Sequence, residues 1–390
     1  MITLASIIER FGADYSAQYA TSALPSQLQA LNAMRVCRSH MAKQMLARCG
    51  DCDMQRLVPH SCGHRSCPHC QHHESQGWIE QQTQRLVAGN YFLITFTLPS
   101  ELRTLVWQHQ RIAYAALMDC AWQTLRSFSQ NHKQLQGTPG AIAVLHTHSR
   151  QLEFHPHVHM VMPAAALDAD KRLWRTLRRS SKGDGYLFNH KALAKVFRGK
   201  FLAALAQSGF ALPANIPKGW VVDCKGIGDG KKALAYLGRY LYRGVIQERD
   251  ILRCEQGLVT YRWRDSASKK MRLTTVSGVE FLRRVLQHVL PKGFRRSRNF
   301  GFLHPNSKRL IALLKLLVFR RTPPAEPNTS TVQPTPRAQW KCVCCGGTMV
   351  VVRRRIAPVM AAPPDPRVRQ QIPIFPVFAY PASTKSSTYS

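Results

Sequence analysis

Two short segments combine residue types and spacings that suit phosphoryl chemistry. In Phe154-His155-Pro156-His157-Val158-His159-Met160, histidine recurs at every second position of an apolar run. A strand sends alternate side chains to opposite faces. Glu153, His155, His157 and His159 therefore share one face, and Phe154, Pro156, Val158 and Met160 share the other. His157 and His159 can then reach one divalent cation, with His146 and His148 on a neighbouring strand able to contribute. A histidine-rich exposed face is the bland alternative, but so many polar groups on one sheet face are costly to bury without a purpose. Further on, Tyr236-Leu237-Gly238-Arg239-Tyr240 sets two hydroxyls at i and i+4 on one helix face. Lys232 sits one turn before Tyr236, and Arg239 and Arg243 flank the turn. An aromatic core stripe is the ordinary reading of such a pair; basic neighbours suit a phosphate better. Together the segments describe a cation that polarises a scissile phosphate and a tyrosine that attacks phosphorus. The products are a 5′-phosphotyrosine and a free 3′-OH, and a second tyrosine allows a second cut before the first is resolved.

These groups need a frame. Tyr91–Leu98 is aromatic and β-branched and stops at Pro99, which predicts a buried strand. Residues 100–130 carry a helical apolar stripe of Leu102, Leu105, Val106, Ala113, Leu117 and Leu125. Strands at 141–148 and 153–162 are joined by a short polar turn and form a hairpin. A helix at 190–208, a strand at 220–224 and a helix at 231–243 follow, the last entered from Gly226-Ile227-Gly228-Asp229-Gly230. This order predicts an α+β fold, a central antiparallel sheet with helices on one face. Beyond it, residues 251–320 are basic, with a strand at 258–264 and a helix at 276–290.

The chain has 390 residues, 55 Lys+Arg against 21 Asp+Glu, and a formal net charge of +34. Such a surplus points to a polyanion bound through its phosphates, most simply nucleic acid. Arg295 and Arg296 lie in a basic run, 292–298, that fits this role alongside Lys232, Arg239 and Arg243. No apolar run reaches the roughly 20 residues a transmembrane helix needs, and the first residues lack the pattern of a secretory signal. The expected location is cytoplasmic, at the nucleoid. No phosphate-cradling Gly-x-x-x-x-Gly-Lys-Ser/Thr loop is present, and no carboxylate cluster offers a three-acid metal site.

Twelve cysteines in a cytosolic chain are better read as metal ligands than as disulfides. Cys49-x-x-Cys52 and Cys67-x-x-Cys70 are two knuckles at a spacing suited to one structural Zn²⁺. Cys37, His40, His60 and Cys62 are candidates for a second site. Cys342-x-x-Cys345 is half a site, as readily a remnant as a ligand pair. Cys120, Cys224 and Cys254 are isolated and read as packing residues.

At this level of detail the chain resembles a known family. His157-Val158-His159 is an HUH motif, and with Tyr236-x-x-x-Tyr240 it resembles the HUH endonucleases of the two-tyrosine type. Ser61-Cys62-Gly63-His64-Arg65-Ser66-Cys67-Pro68-His69-Cys70-Gln71, Leu145–His148, His155–His159, Tyr236–Tyr240 and His288–Phe294 occur in an order that resembles the IS91 family of rolling-circle transposases. The resemblance implies a transposase that nicks and rejoins single-stranded DNA at insertion-sequence ends. It makes His157 and His159 ligands of a catalytic Mg²⁺ or Mn²⁺, and Tyr236 and Tyr240 nucleophiles. HUH enzymes usually add a third polar ligand, for which Glu153, His148 and Gln247 are candidates. The implied organisation is a zinc-binding DNA-recognition module at 1–85, a nuclease domain at 88–250, a basic accessory region at 251–320 and a largely disordered tail at 321–390 bearing the Cys342–Cys345 knuckle. Single-stranded and transposon-end DNA are the expected partners, with host replication factors beside them. A replication initiator or relaxase would share the HUH and tyrosine parts, and a non-catalytic zinc-finger DNA-binding protein would share the cysteines.

Overall fold

Strand pairing decides which histidines meet. The structure is a computed structural model that describes residues 2–19, 21–39, 41–168, 173–177, 187–242, 244–265, 268–321 and 340–357. Arg243, His40 and most of the tail expected to be disordered lie outside the described residues. The N-terminal part comprises α1 (Leu4–Tyr19), α2 (Pro25–Arg35), the hairpin β1 (Gln44–Cys49) and β2 (Gln55–Pro59), and α3 (His72–Arg85). Then come β3 (Tyr91–Thr97), α4 (Arg103–Gln108), α5 (Gln110–Asn131), β4 (Thr138–His148) and β5 (Phe154–Pro163). They are followed by β6 (Ala165–Asp168), β7 (Leu173–Thr176), α6 (His190–Gln207), β8 (Val222–Gly226) and α7 (Lys231–Tyr242). The remainder comprises β9 (Ile251–Glu255), β10 (Leu258–Arg264), β11 (Met271–Ser277), α8 (Gly278–Leu286), β12 (Ser297–Gly301), α9 (Lys308–Arg321) and β13 (Met349–Ile356).

Seven strands form the central antiparallel sheet in the order β7-β6-β4-β5-β3-β8, with β12 also paired to β4. The β4–β5 hairpin sets His146 opposite His157 and Val144 opposite His159, and β3 sets Thr95 opposite His159. One face carries Ile94, Phe96, Leu145, Val158 and Met160, packed against α5 and α6 through Leu117, Ala121, Phe197 and Phe201. The sequence predicts helices on one face only; the structure covers both, because α7 carries its own apolar stripe to the other side. The alternate positions Leu93, Ile142, Val144 and Val161 form the opposite face. There α7 packs through Leu234, Leu237 and Leu241, with Trp78 of α3 behind it. The histidines lie where this second apolar face gives way to polar residues.

A separate core joins α1, α2 and α8 to the β9–β11 sheet through Ile7, Ile8, Leu31, Phe281, Leu282 and Tyr261. The remaining sheet, β13-β1-β2, draws its strands from the two ends of the chain. Among the described residues no helix is long and apolar enough to cross a membrane.

Candidate metal and tyrosine site

The imidazoles of His146, His157 and His159 converge so that one nitrogen from each lies within 4.8 Å of the others. His157 Nδ1 is 2.8 Å from the carbonyl of His155. A carbonyl only accepts, so Nδ1 holds the proton and Nε2 keeps its lone pair. His159 Nδ1 lies 2.8 Å from the Thr95 hydroxyl, which can accept the Nδ1 proton; in that tautomer Nε2 is left for a cation. His146 Nε2 is buried with no hydrogen-bond partner, an expensive position unless something electropositive meets it. Burial pushes His157 down to about 4 and His159 down to about 3, and holds His146 well below its ordinary value. All three are therefore neutral near pH 7, the protonation state that a metal requires. Three neutral imidazoles in a cradle open to solvent at His157 and His159 are a fitting donor set for a divalent ion.

The third member of the group is His146, one of the two histidines that the sequence offers on the neighbouring strand, and not one of the candidates His148, Glu153 and Gln247 named for a third ligand. His148 donates from Nδ1 to the carbonyl of Ser149 at 2.9 Å and lies outside the three-histidine group. The pairing of β4 with β5 shifts register between His146 and His148, so the regular alternation that would make the two equivalent breaks there. Glu153 precedes β5 in the connecting turn and is exposed, outside the group as well. Gln247 lies beyond α7, just before the short turn Glu248–Asp250. His155, on the same face as His157, accepts a hydrogen bond at Nδ1 from Arg103 at 3.0 Å.

Helix α7 brings the two tyrosines to this face in different states. The Tyr240 ring stacks on His146 with centroids 3.3 Å apart, and on His148 at 4.9 Å. Its hydroxyl is buried without a well-formed hydrogen bond, and burial raises the phenol well above its usual value. Tyr236, one turn earlier, is 57% exposed. Lys232 and Arg239 are exposed on the same helix, and Tyr242 packs into the apolar cluster beneath it. Arg295 is exposed, whereas Arg296 is not the surface cation that its basic run suggests. Its guanidinium is buried 5.8 Å from the centre of the Tyr240 ring, and Nη1 donates to the carbonyl of Leu241 at 3.1 Å. A planar cation can satisfy the last carbonyls of a helix and an aromatic face together, which explains its burial here.

Three contacts fix α7. At its start Asp229 accepts from the Lys231 backbone N–H at 3.0 Å, and the Gly226–Gly230 loop exchanges backbone hydrogen bonds with Tyr91 of β3. In its middle Gly238 has no side chain to hold α3 away; a Cβ there would lie 2.3 Å from Ile79 Cγ1. Ser75 of α3 donates to the Gly238 carbonyl at 3.0 Å. Just past the helix, Gly244 packs against Ser66 and Pro68 of the cysteine loop.

That loop also departs from the expected pairing of knuckles. Cys67 and Cys70 converge with Cys37 and Cys62, not with Cys49 and Cys52. Cys37 Sγ lies 3.5 Å from Cys67 Sγ and 3.4 Å from Cys70 Sγ, and the Cys62 backbone N–H points to Cys70 Sγ at 3.4 Å. These separations approach the roughly 3.8 Å edge of a tetrahedron with Zn–S bonds of about 2.3 Å. His60 instead turns to the carbonyl of Ser61, so the set is four thiols. Cys49 and Cys52 face Cys342 and Cys345. The first knuckle belongs to a hairpin and the second to the loop before α3, so the fold separates them despite their suggestive spacing. Cys120 and Cys224 are buried core residues, as isolated cysteines should be.

Two family models and two curated relatives match the chain. Residues 7–98 match the model of a transposase zinc-binding domain, and residues 140–310 match that of a putative transposase family. The putative transposase y4qJ of Sinorhizobium fredii is 32% identical over 324 residues, covering 77% of this chain and 80% of its own. The transposase for insertion sequence element IS801 of Pseudomonas savastanoi pv. phaseolicola is 26% identical over 347 residues, covering 83% of each. Among solved structures, the metal-bound conjugative relaxase TrwC in complex with oriT DNA overlaps 58% of this chain and 70% of its own, at 13% identity and a TM-score of 0.26.

Proposed function

We propose that this chain, which belongs to the IS91 family of transposases, nicks and rejoins single-stranded DNA at the ends of its element through a 5′-phosphotyrosine and so drives rolling-circle transposition. The observation that carries the proposal is the stacking of Tyr240 on His146, inside a three-histidine cluster. A nucleophile-bearing helix and a cation cradle are thereby joined in one site.

His146, His157 and His159 would hold Mg²⁺ or Mn²⁺, with water and phosphate oxygens completing the shell. Three imidazoles favour Mn²⁺ over the harder Mg²⁺. The ion would supply charge stabilisation at the scissile phosphate. The protein's own groups do the rest. Exposed Lys232, Arg239 and Arg295 draw the phosphate backbone toward α7. The tyrosine oxygen bonds to phosphorus as the bond from phosphorus to the 3′ oxygen breaks. The phenol gives up its proton and the departing 3′ oxygen takes one up. The linkage retains the energy of the phosphodiester, so attack by a 3′-OH on the phosphotyrosine rejoins a strand without an external energy source.

A denaturation-resistant adduct between the protein and labelled single-stranded end DNA tests this. Adducts are expected with Mn²⁺, fewer with Mg²⁺, and none in chelator or in the His157→Ala, His159→Ala double variant. Tight DNA binding with no adduct under any metal would leave a non-catalytic DNA-binding protein. The third ligand has its own test. His146→Ala should weaken Mn²⁺ binding by at least about 10- to 100-fold, the loss that removing even a ligand's hydrogen-bond partner causes, whereas Glu153→Ala should leave it unchanged. Titration calorimetry with Mn²⁺ reads both.

A further inference from the structure

The sheet β13-β1-β2 has little apolar material to hold it. Its buried cluster is Ala47, Cys49, Cys342 and Met349, with Met54 and Val58 partly buried against it. Leu57, Val350 and Val352 are exposed. Three strands with so small a core need a staple. At the end of the sheet, Cys49 Sγ lies 3.5 Å from Cys345 Sγ and Cys52 Sγ 3.6 Å from Cys342 Sγ, with all four sulfurs within 4.8 Å of one another. All four cysteines are free thiols.

The two halves repeat one local geometry. In the β1–β2 turn, the Asp51 N–H points to Cys49 Sγ at 3.5 Å; in the C-terminal turn, the Cys344 N–H points to Cys342 Sγ at 3.4 Å. In each knuckle the N–H two residues on is aimed at the first sulfur, which stabilises a thiolate. Backbone hydrogen bonds from Cys342 N–H to the Gly347 carbonyl and from Gly346 N–H to the Cys342 carbonyl close the second turn. Four sulfurs placed two and two, at nearly tetrahedral separations, suit a single Zn²⁺.

We propose that Cys49, Cys52, Cys342 and Cys345 bind a second structural Zn²⁺, and that this ion clamps the C-terminal strand β13 onto the N-terminal hairpin. The site lies partly outside the matched zinc-binding domain, because Cys342 and Cys345 come from the far end of the chain. It is distinct from the Cys37, Cys62, Cys67, Cys70 set, which shares no ligand with it. Removing either half leaves two thiols, too few to close a structural site.

Metal analysis of the full-length protein tests this, with zinc and iron measured together. Two zinc ions per chain are expected, falling to one in the Cys342→Ser, Cys345→Ser variant and to one in the Cys62→Ser, Cys67→Ser variant. One zinc in the wild type, iron in place of the second zinc, or two zinc ions retained in the Cys342→Ser, Cys345→Ser variant would each overturn the proposal. Thiol alkylation of the wild type gives a readout that does not depend on a variant folding. Cys344 and Cys345 are both exposed, yet only Cys345 is assigned to the metal. In zinc-loaded protein Cys344 should be alkylated at least about tenfold faster than Cys345, and a chelator should abolish the difference. Equal rates before chelation would sink the assignment.

Discussion

Tyr240→Phe is expected to lower the first cleavage of end DNA by on the order of 10³-fold or more, as loss of a nucleophile does in enzymes that use one. Tyr236→Phe should leave that first cut within a few-fold of wild type and block the second. The difference follows from where α7 puts the two rings. Tyr240 already stacks on His146, a member of the three-histidine group, before DNA arrives. Tyr236 is exposed one turn away and is free to take a second strand. Phenylalanine keeps the stacking surface, so Mn²⁺ affinity should survive in both variants, and calorimetry on the same preparations separates lost nucleophile from lost metal. Two differently labelled ends report the split: wild type should carry both labels on one protein, and Tyr236→Phe only one. A Tyr236→Phe protein that fails to make the first adduct would reverse the order assigned here.

Gly238→Val should cost about 1–3 kcal/mol of stability, the usual penalty for overpacking, and should depress cleavage further by displacing the tyrosines. The first added carbon alone would lie 2.3 Å from Ile79 Cγ1 and 3.0 Å from the Trp78 ring. Relief requires α3 and α7 to part, which shifts Tyr240 relative to His146. Ile79→Ala in the same chain removes the nearest obstruction and should restore part of both losses. Thermal unfolding and adduct yield, measured on the single and double variants, check the coupling. Recovery of stability without recovery of adducts would show that the helix position matters less than argued.

The sequence makes some of this legible and hides the rest for identifiable reasons. Alternation along β5 puts His157 and His159 on one face without any knowledge of neighbours, and the i, i+4 spacing does the same for Tyr236 and Tyr240. The third histidine depends on register between strands, which no single segment encodes. His146 and His148 are equivalent by alternation, and only the register shift in β4 against β5 separates them. Thr95, which pairs with His159, is hidden in the sequence for the same reason: it faces that histidine from the neighbouring strand β3. Arg296 looked like its surface neighbour Arg295 because a basic run does not show which member turns inward. The cysteine knuckles were recognisable, but spacing specifies a pair of ligands and not the partner pair. Gly238 was visible inside the tyrosine motif, yet its use, the close approach of α3, is a tertiary fact.

The pairing of β1 with β13 also sets a timetable. Leu46 meets Arg353, a partner about 300 residues later in the chain. At synthesis rates of roughly 5–20 residues per second, β1 is made roughly 15–60 s before its partner strand. The β1–β2 hairpin must spend that interval with one edge of unpaired backbone groups open, the kind of edge that recruits stray strands. A nascent chain can finish this corner of the molecule only when nearly all of it has been translated, so a prematurely terminated product would keep the edge exposed.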